Sequence, residues 1–200
     1  MNEVNVYILH TSLVKKHFSF VENFVYPTRR EKALRYVNEK DQLLSFGAGY
    51  LIKKYLPNEE ILLTESGKPY LKDGPFFNVS HSGEYVVLAI HPSLDVGIDI
   101  ERIASSKVEG IKFVLSEDEQ KISDVNTLFR IWTNKESLTK CISSGLKDIK
   151  NVNGLPLEGM RLIIDEKYYV KSTLFEDYAL SVSLKGKEPF VIVTEIVKSI

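Results

Sequence analysis

Gly97-Ile98-Asp99-Ile100-Glu101 alternates apolar and acidic residues just after a break at His91-Pro92-Ser93. Side chains on a strand point alternately to its two faces, so Ile98 and Ile100 are predicted to enter a core while Asp99 and Glu101 share the opposite face. The β-rich run Val96 to Ile100 therefore opens a second half of the chain. Working upstream, Phe76 to Ile90 reads as a strand hairpin, preceded by turn chemistry at Glu65-Ser66-Gly67-Lys68-Pro69 and Lys72-Asp73-Gly74-Pro75. Before these, Arg29 to Leu56 carries helical spacing (Leu43, Leu44, Ala48, Leu51, Ile52, Tyr55) and stops at Pro57-Asn58; Asn5 to Leu9 is an opening strand. Downstream, Ser116-Glu117-Asp118-Glu119 fits a capping box. Leu128, Ile131, Trp132, Leu138 and Ile142 then mark a long helix ending at Ser143-Ser144-Gly145, with Trp132 assigned to the core. Four β-rich runs follow, Arg161 to Asp165, Tyr168 to Thr173, Tyr178 to Leu184 and Phe190 to Ile196, which predict an antiparallel meander. Strand, long helix and strands thus occur twice without a sequence repeat. An α+β chain of two similar-sized lobes, 1–94 and 95–200, with a cleft between them, is the expectation.

Composition bounds the function. The 200 residues carry 26 basic and 27 acidic side chains, a net charge of -1, so no overall field draws the molecule to nucleic acid. Any anion site has to be local. The single cysteine, Cys141, cannot form an internal disulfide. Residues Met1 to His10 lack a signal-peptide layout, and no apolar run reaches the roughly 20 residues that span a bilayer, so a cytoplasmic protein without membrane contact is expected.

Four local signals carry chemistry. Asp99 and Glu101 place two carboxylates on one strand face; their repulsion calls for a counter-charge, which a hard divalent cation with oxygen ligands would supply. Taken alone, the pair reads first as the wet face of a half-exposed strand. In Trp132-Thr133-Asn134-Lys135-Glu136, with Lys140 following, Glu136 and Lys140 lie one helical turn apart on a common face. Alone, that is an ordinary surface pair, and no role follows for Lys135. Ser80-His81-Ser82-Gly83 offers hydroxyls and an imidazole at a strand end, suited to a phosphate oxygen, and Lys68 sits in a Gly-Lys-Pro turn. Arg29, Arg30 and Lys32, with Arg35, form a basic cluster that a solvated helix face explains as well.

The order of these signals is specific where each one is weak. Gly-Lys-Pro, Ser-His-Ser-Gly, Gly-Ile-Asp-Ile-Glu, then Trp-Thr-Asn-Lys-Glu with Lys140 four residues on, resembles the 4'-phosphopantetheinyl transferase superfamily in its longer, surfactin-synthetase-activating (Sfp-type) branch. The resemblance covers Lys68 to Leu146. It implies two lobes in pseudo-twofold arrangement, each with a long helix packed on a mainly antiparallel sheet, the first on the nucleotide side and the second holding the metal and catalytic residues. It also implies a monomeric enzyme that moves phosphopantetheine from coenzyme A to a serine of an acyl, peptidyl or aryl carrier protein and releases adenosine 3',5'-bisphosphate. By the same resemblance Asp99, Glu101 and Glu136 hold magnesium, Lys140 contacts the pyrophosphate, Ser80 and His81 bind phosphate, and Lys68 lies beside the nucleotide. Arg29, Arg30 and Lys32 fall near the 3'-phosphate, and Glu136 or a metal-polarised water takes the serine proton. Two departures stand out: Asp41-Gln42 replaces an arginine and a small hydroxyl residue, and the run before Gly145-Leu146 lacks a glycine. A carrier-binding homologue without activity and a metal-dependent nuclease are the rival classes. Near-neutral charge without an aromatic-basic stripe opposes the latter.

Overall fold

The computed structural model describes residues 2–57, 61–65, 67–142, 149 and 152–200. Strand β1 (Asn2–His10) leads through three short helices, α1 (Thr11–Lys16), α2 (Phe18–Phe24) and α3 (Pro27–Leu34), into the long helix α4 (Glu39–Tyr55). The helical segment expected from Arg29 to Leu56 is therefore two helices. Asn38 adopts an extended backbone and its side chain accepts the Lys40 N–H at 2.8 Å, satisfying an orphan donor of a new helix. A ribbon of β2 (Ile61–Leu63) and β3 (Pro69–Leu71) precedes the expected hairpin, β4 (Phe76–Ser82) and β5 (Tyr85–His91). Strand β6 (Val96–Arg102) carries the Gly97–Glu101 motif. Asn58, Ser66 and the helix stop at 143–145 lie outside the described residues, as do Leu146, Lys147 and Lys150.

After β6 come α5 (Val108–Lys112), α6 (Glu117–Gln120) and the long α7 (Val125–Ile142). The capping box forms as expected, with Glu119 N–H donating to Ser116 Oγ at 3.3 Å and Ser116 N–H to Glu119 Oε2 at 2.7 Å, although α6 spans a single turn. The meander is three strands rather than four: β7 (Glu158–Ile163), β8 (Glu166–Phe175) and β9 (Tyr178–Lys185) pair antiparallel, with β6 beside β9. The last strand, β10 (Phe190–Ile196), crosses back and pairs parallel with β1. Its position follows from Phe190, which is buried with Val4, Val6 and Ile8 of β1 in the main core. Both sides of β9 are already taken, by β6 and β8, so the next strand cannot pair beside it.

Mixed α and β elements thus form four layers. The sheet β10-β1-β5-β4 and the sheet β6-β9-β8-β7 share an apolar core made by Val4, Val6, Val87, Ile98, Ile100 and Val182 among others. On its outer face the first sheet packs against α4 through Leu9, Val86 and Leu88. The second sheet packs against α7, and here the contact is polar and close. Thr133 Oγ1 meets Ser181 Oγ at 2.7 Å and Ser137 Oγ meets Ser183 Oγ at 2.7 Å. Gly97 permits the approach: a Cβ there would lie 2.0 Å from Ser137 O and 2.6 Å from Cys141 N.

Because those atoms are helix backbone, they cannot move aside one at a time. Gly97→Ala is expected to push α7 off β6 and to cost about 2–3 kcal/mol, as overpacking does, which lowers Tm by roughly 5–10 °C for a chain of this size. Gly110→Ala, where a Cβ meets nothing within 4 Å, is the matched control and should hold or raise Tm in a thermal melt. Equal melting of the two variants would contradict the close contact at Gly97.

Candidate active site at the junction of the two sheets

Strand β4 is the edge of one sheet and β6 the edge of the other, and side chains rather than a backbone ladder join them. Three alternate residues of β4 face β6. Asn78 Oδ1 accepts the Ile98 N–H at 3.0 Å, Ser80 Oγ donates to Asp99 Oδ1 at 2.7 Å, and Ser82 Oγ donates to Glu101 Oε2 at 2.8 Å while accepting the Arg102 N–H at 3.1 Å. This polar stripe on an otherwise apolar strand is a signal that period-2 reading of 78, 80 and 82 could have found.

The alternation expected for β6 is present: Ile98 and Ile100 enter the shared core and Asp99 and Glu101 leave on the other face. Helix α7 brings Lys140 to the same place. Its Nζ lies 2.6 Å from Asp99 Oδ1 and 3.1 Å from Ser80 Oγ, so Ser80, Asp99 and Lys140 form a closed triangle. Glu101 is paired separately with Lys107, Nζ to Oε2 at 3.3 Å, a cation that no motif of the sequence singles out.

Glu136 lies one turn before Lys140 and its carboxylate makes no hydrogen bond or ion pair with the described residues. Its carboxyl is pushed up to about 7, first by burial, then by the charge of Asp99; Glu101 adds to this and Lys140 opposes it. Three carboxylates therefore repel one another across a half-buried space. Asp99 Oδ2 is buried without a hydrogen-bond partner among the described residues. Among those residues no group of three or more His, Cys, Asp or Glu is gathered into a metal cage, and Lys140 and Lys107 each pair with one of the acids. The donor set nevertheless fits a hard divalent cation. An orphaned buried carboxylate oxygen and mutual repulsion are what such an ion would relieve.

The remaining candidates are spread around this centre. His81 is on the opposite face of β4 from Ser80, near Asp41 of α4; loss of hydration, then the charge of Lys140, holds its imidazole below the ordinary histidine range. Gly83, at φ 60, turns the hairpin, and a Cβ there would run into the Tyr178 hydroxyl. Lys68 donates to Cys141 O at 3.3 Å at the end of α7, and burial lowers its pKa. It lines a cleft of about 200 Å³ with Tyr70, Leu71, Phe76 and Asp95. Of the basic cluster, Arg30 is taken by Glu22 at 2.8 Å, and Lys32 is exposed. Arg29 is half-buried without a partner among the described residues, and desolvation lowers its pKa. Trp132 packs against the cluster of Ile111, Leu115 and Phe129 as expected. Lys135 points away from the site into a buried ion pair with Glu119.

With this geometry established, comparison with known proteins gives the class. The sequence profile of the 4'-phosphopantetheinyl transferase superfamily matches residues 95–187, and that of the 4'-phosphopantetheinyl transferase N-terminal region matches residues 12–93. The chain belongs to the 4'-phosphopantetheinyl transferase superfamily, and its relatives place it in the Sfp-type branch. It is 39% identical to 4'-phosphopantetheinyl transferase gsp of Aneurinibacillus migulanus over 64% of this chain and 60% of the relative. It is 29% identical to 4'-phosphopantetheinyl transferase Sfp of Bacillus subtilis over 62% of each. The L-aminoadipate-semialdehyde dehydrogenase-phosphopantetheinyl transferase of Rattus norvegicus is 32% identical over 61% of this chain and 49% of the relative. The matched stretch thus spans about half to three fifths of these relatives. Among the described residues no helix is long and apolar enough to cross a membrane.

Glu136 also makes a prediction about pH. Its folded-state value, about 7, lies above the ordinary 4.5, so between these values the folded protein keeps a proton that the unfolded chain has lost. The contribution is full below the lower value and is lost as pH rises through the upper one. In metal-free buffer Glu136→Gln should therefore melt above wild type at pH 8, with the gap closing at pH 5. A gap independent of pH would mean that Glu136 ionises as an exposed glutamate does.

Proposed function

We propose that the protein is a holo-carrier-protein synthase that transfers 4'-phosphopantetheine from coenzyme A to a carrier-protein serine. What carries the reading is the triangle of Ser80, Asp99 and Lys140 beside Glu136, whose carboxylate is unpaired among the described residues, because it sets a cation, a hydroxyl, a paired acid and an unpaired one around one space. In the proposed arrangement 1–94 forms a nucleotide lobe and 95–200 a metal and catalytic lobe, related by a pseudo-twofold axis, with β10 crossing back.

Bound coenzyme A would run from the Lys68 cleft past His81 to Lys140, with Arg29 and Lys32 toward the 3'-phosphate. Arg30 is less available, since Glu22 neutralises it. Asp99, Glu101 and Glu136 would hold magnesium, which when bound supplies positive charge beside the pyrophosphate. Lys140 gives a second cation there, so that charge accumulating on the departing adenosine 3',5'-bisphosphate is met by groups already in place. The new bond joins the serine oxygen to the β-phosphorus of coenzyme A, the phosphoanhydride bond breaks, and Glu136 accepts the serine proton. In the metal-free protein burial and the neighbouring acids raise its pKa to about 7; beside a bound cation that value would fall, keeping the carboxylate ionised and able to accept a proton.

A calorimetric titration with coenzyme A, with and without magnesium, combined with transfer to an apo-carrier protein, tests the assignment. Asp99→Asn and Glu136→Ala should each lower turnover by ~10²-fold or more while leaving the melting transition cooperative. Turnover near wild type in either variant would remove the metal and base assignments.

The carrier is expected to be acidic and to be guided by Lys112 and Lys121, which flank the capped helix α6, together with Lys147 and Lys150, which lie outside the described residues. Lys112 and Lys121 are already paired with Glu109 at 2.7 Å and Asp118 at 2.6 Å. Reversing both lysines at saturating coenzyme A should lower kcat/KM for the carrier by about tenfold at low salt and by less at high salt. An unchanged value would move docking to another face.

A further inference from the structure

Helix α7 is held on two sides. On the site side Lys140 binds Asp99 and Ser80. On the other, Lys135 Nζ lies 2.8 Å from Glu119 Oε2, with side-chain exposures of 0% and 1%. The ammonium also donates to Val114 O at 3.0 Å. The carboxylate accepts two further backbone donors, Ser116 N–H at 2.7 Å and Gly154 N–H at 2.8 Å. Burial alone would raise the Glu119 pKa, but these bonds from Lys135, Ser116 and Gly154 hold it below the ordinary carboxylate range.

Gly154 is itself pressed on the helix, since a Cβ there would lie 2.8 Å from Ile131 O, and Asn134 Nδ2 donates to Gly154 O at 2.9 Å. One carboxylate therefore joins the 114–119 segment, the 154 loop and α7. Stability alone accounts poorly for this arrangement, because a buried ion pair is often no more stabilising than apolar residues of equal volume. What a fully satisfied pair supplies is a single geometry.

We propose that the buried Glu119–Lys135 pair sets the rotation of α7 about its axis and so positions Glu136 and Lys140. The inference rests on the transferase reading. At about 100° per residue, Glu136 projects roughly 100° and Lys140 roughly 140° from the direction of Lys135. The pair thus acts as a lever on the catalytic face without touching it. A rotation of about 10° moves a side-chain tip some 5–6 Å from the axis by about 1 Å, and a misplacement of that size can cost ~10² in rate. Lys135 and Glu119 are positioning residues in this account.

The test compares wild type with Lys135→Met and with the double variant Glu119→Gln/Lys135→Met, which removes both buried charges. Melting temperature, kcat for transfer, KM for coenzyme A, and coenzyme A affinity with and without magnesium are measured, rates being normalised to folded protein. The expected result is a double variant that still melts cooperatively, somewhat below wild type because an amide in place of the Glu119 carboxylate leaves one of the Ser116 and Gly154 N–H donors unpaired, with kcat lower by about tenfold or more and KM for coenzyme A within about threefold. The gain in coenzyme A affinity on adding magnesium should shrink, while the metal-free affinity stays. Wild-type kcat together with a wild-type magnesium gain in the double variant would reduce the pair to a structural role and overturn the proposal. Should the double variant not fold, Lys135→Met on its folded fraction decides by the same two readouts. If wild type shows neither transfer nor magnesium-dependent coenzyme A binding, the transferase reading fails and this inference falls with it, an outcome visible before any variant is made.

Discussion

The closeness of α7 to β6 governs the geometry of the site. At Gly97 the strand has no Cβ, and the helix backbone at Ser137 and Cys141 occupies the room a methyl group would need. On the β9 side small hydroxyl residues, Thr133, Ser137, Ser181 and Ser183, replace the bulky apolar contacts usual between helix and sheet. Large side chains at these positions would set the helix further away. Lys140 could not then reach Asp99 at 2.6 Å, and Glu136 would be withdrawn from the acids of β6. The glycine of the Gly97–Glu101 motif thus shapes the candidate site even though it carries no functional group.

A second constraint is the seam between β4 and β6. Two sheets that share an apolar core over Val4, Val6, Val87, Ile98 and Val182 also have edges, and an edge exposes unpaired backbone groups. Asn78 and Ser82 meet two of these, the N–H groups of Ile98 and Arg102, while Ser80 turns to a side chain. The seam is polar for a structural reason and hosts the candidate site for the same reason. The Ser80 and Ser82 hydroxyls of this seam also hold the Asp99 and Glu101 carboxylates.

The electrostatics of the site oppose stability. Glu136 is half-buried among like charges, which raises its pKa toward 7, and Asp99 keeps one buried oxygen without a partner among the described residues. Both features cost free energy in the unliganded protein. Strain of this kind persists where the surrounding structure overdetermines it. Here α7 is anchored on its far side by Lys135 and Glu119, and on the sheet side by four hydroxyls. The same unbalanced charge is what a cation and an attacking hydroxyl would use.

Much of the fold and part of the site are legible in local sequence patterns. The alternation at 97–101, the capping box at Ser116 and Glu119, and the spacing of apolar positions along α7 depend on residues within one or two turns or pleats of each other, and periodicity reports such neighbours directly. The order of four weak motifs points to the family. Sequence could not show that α3 and α4 separate at Asn38 without weighing a cap against helix continuation, nor that β10 leaves the meander to bury Phe190 beside β1. It assigns Lys135 nothing and does not bring Ser80 to Asp99. Those outcomes rest on partners 16, 19 and 41 residues apart, as in Glu119–Lys135, Ser80–Asp99 and Asp99–Lys140. A periodic pattern fixes which face a side chain takes, whereas its partner is decided by which distant face the packed core brings within about 3 Å.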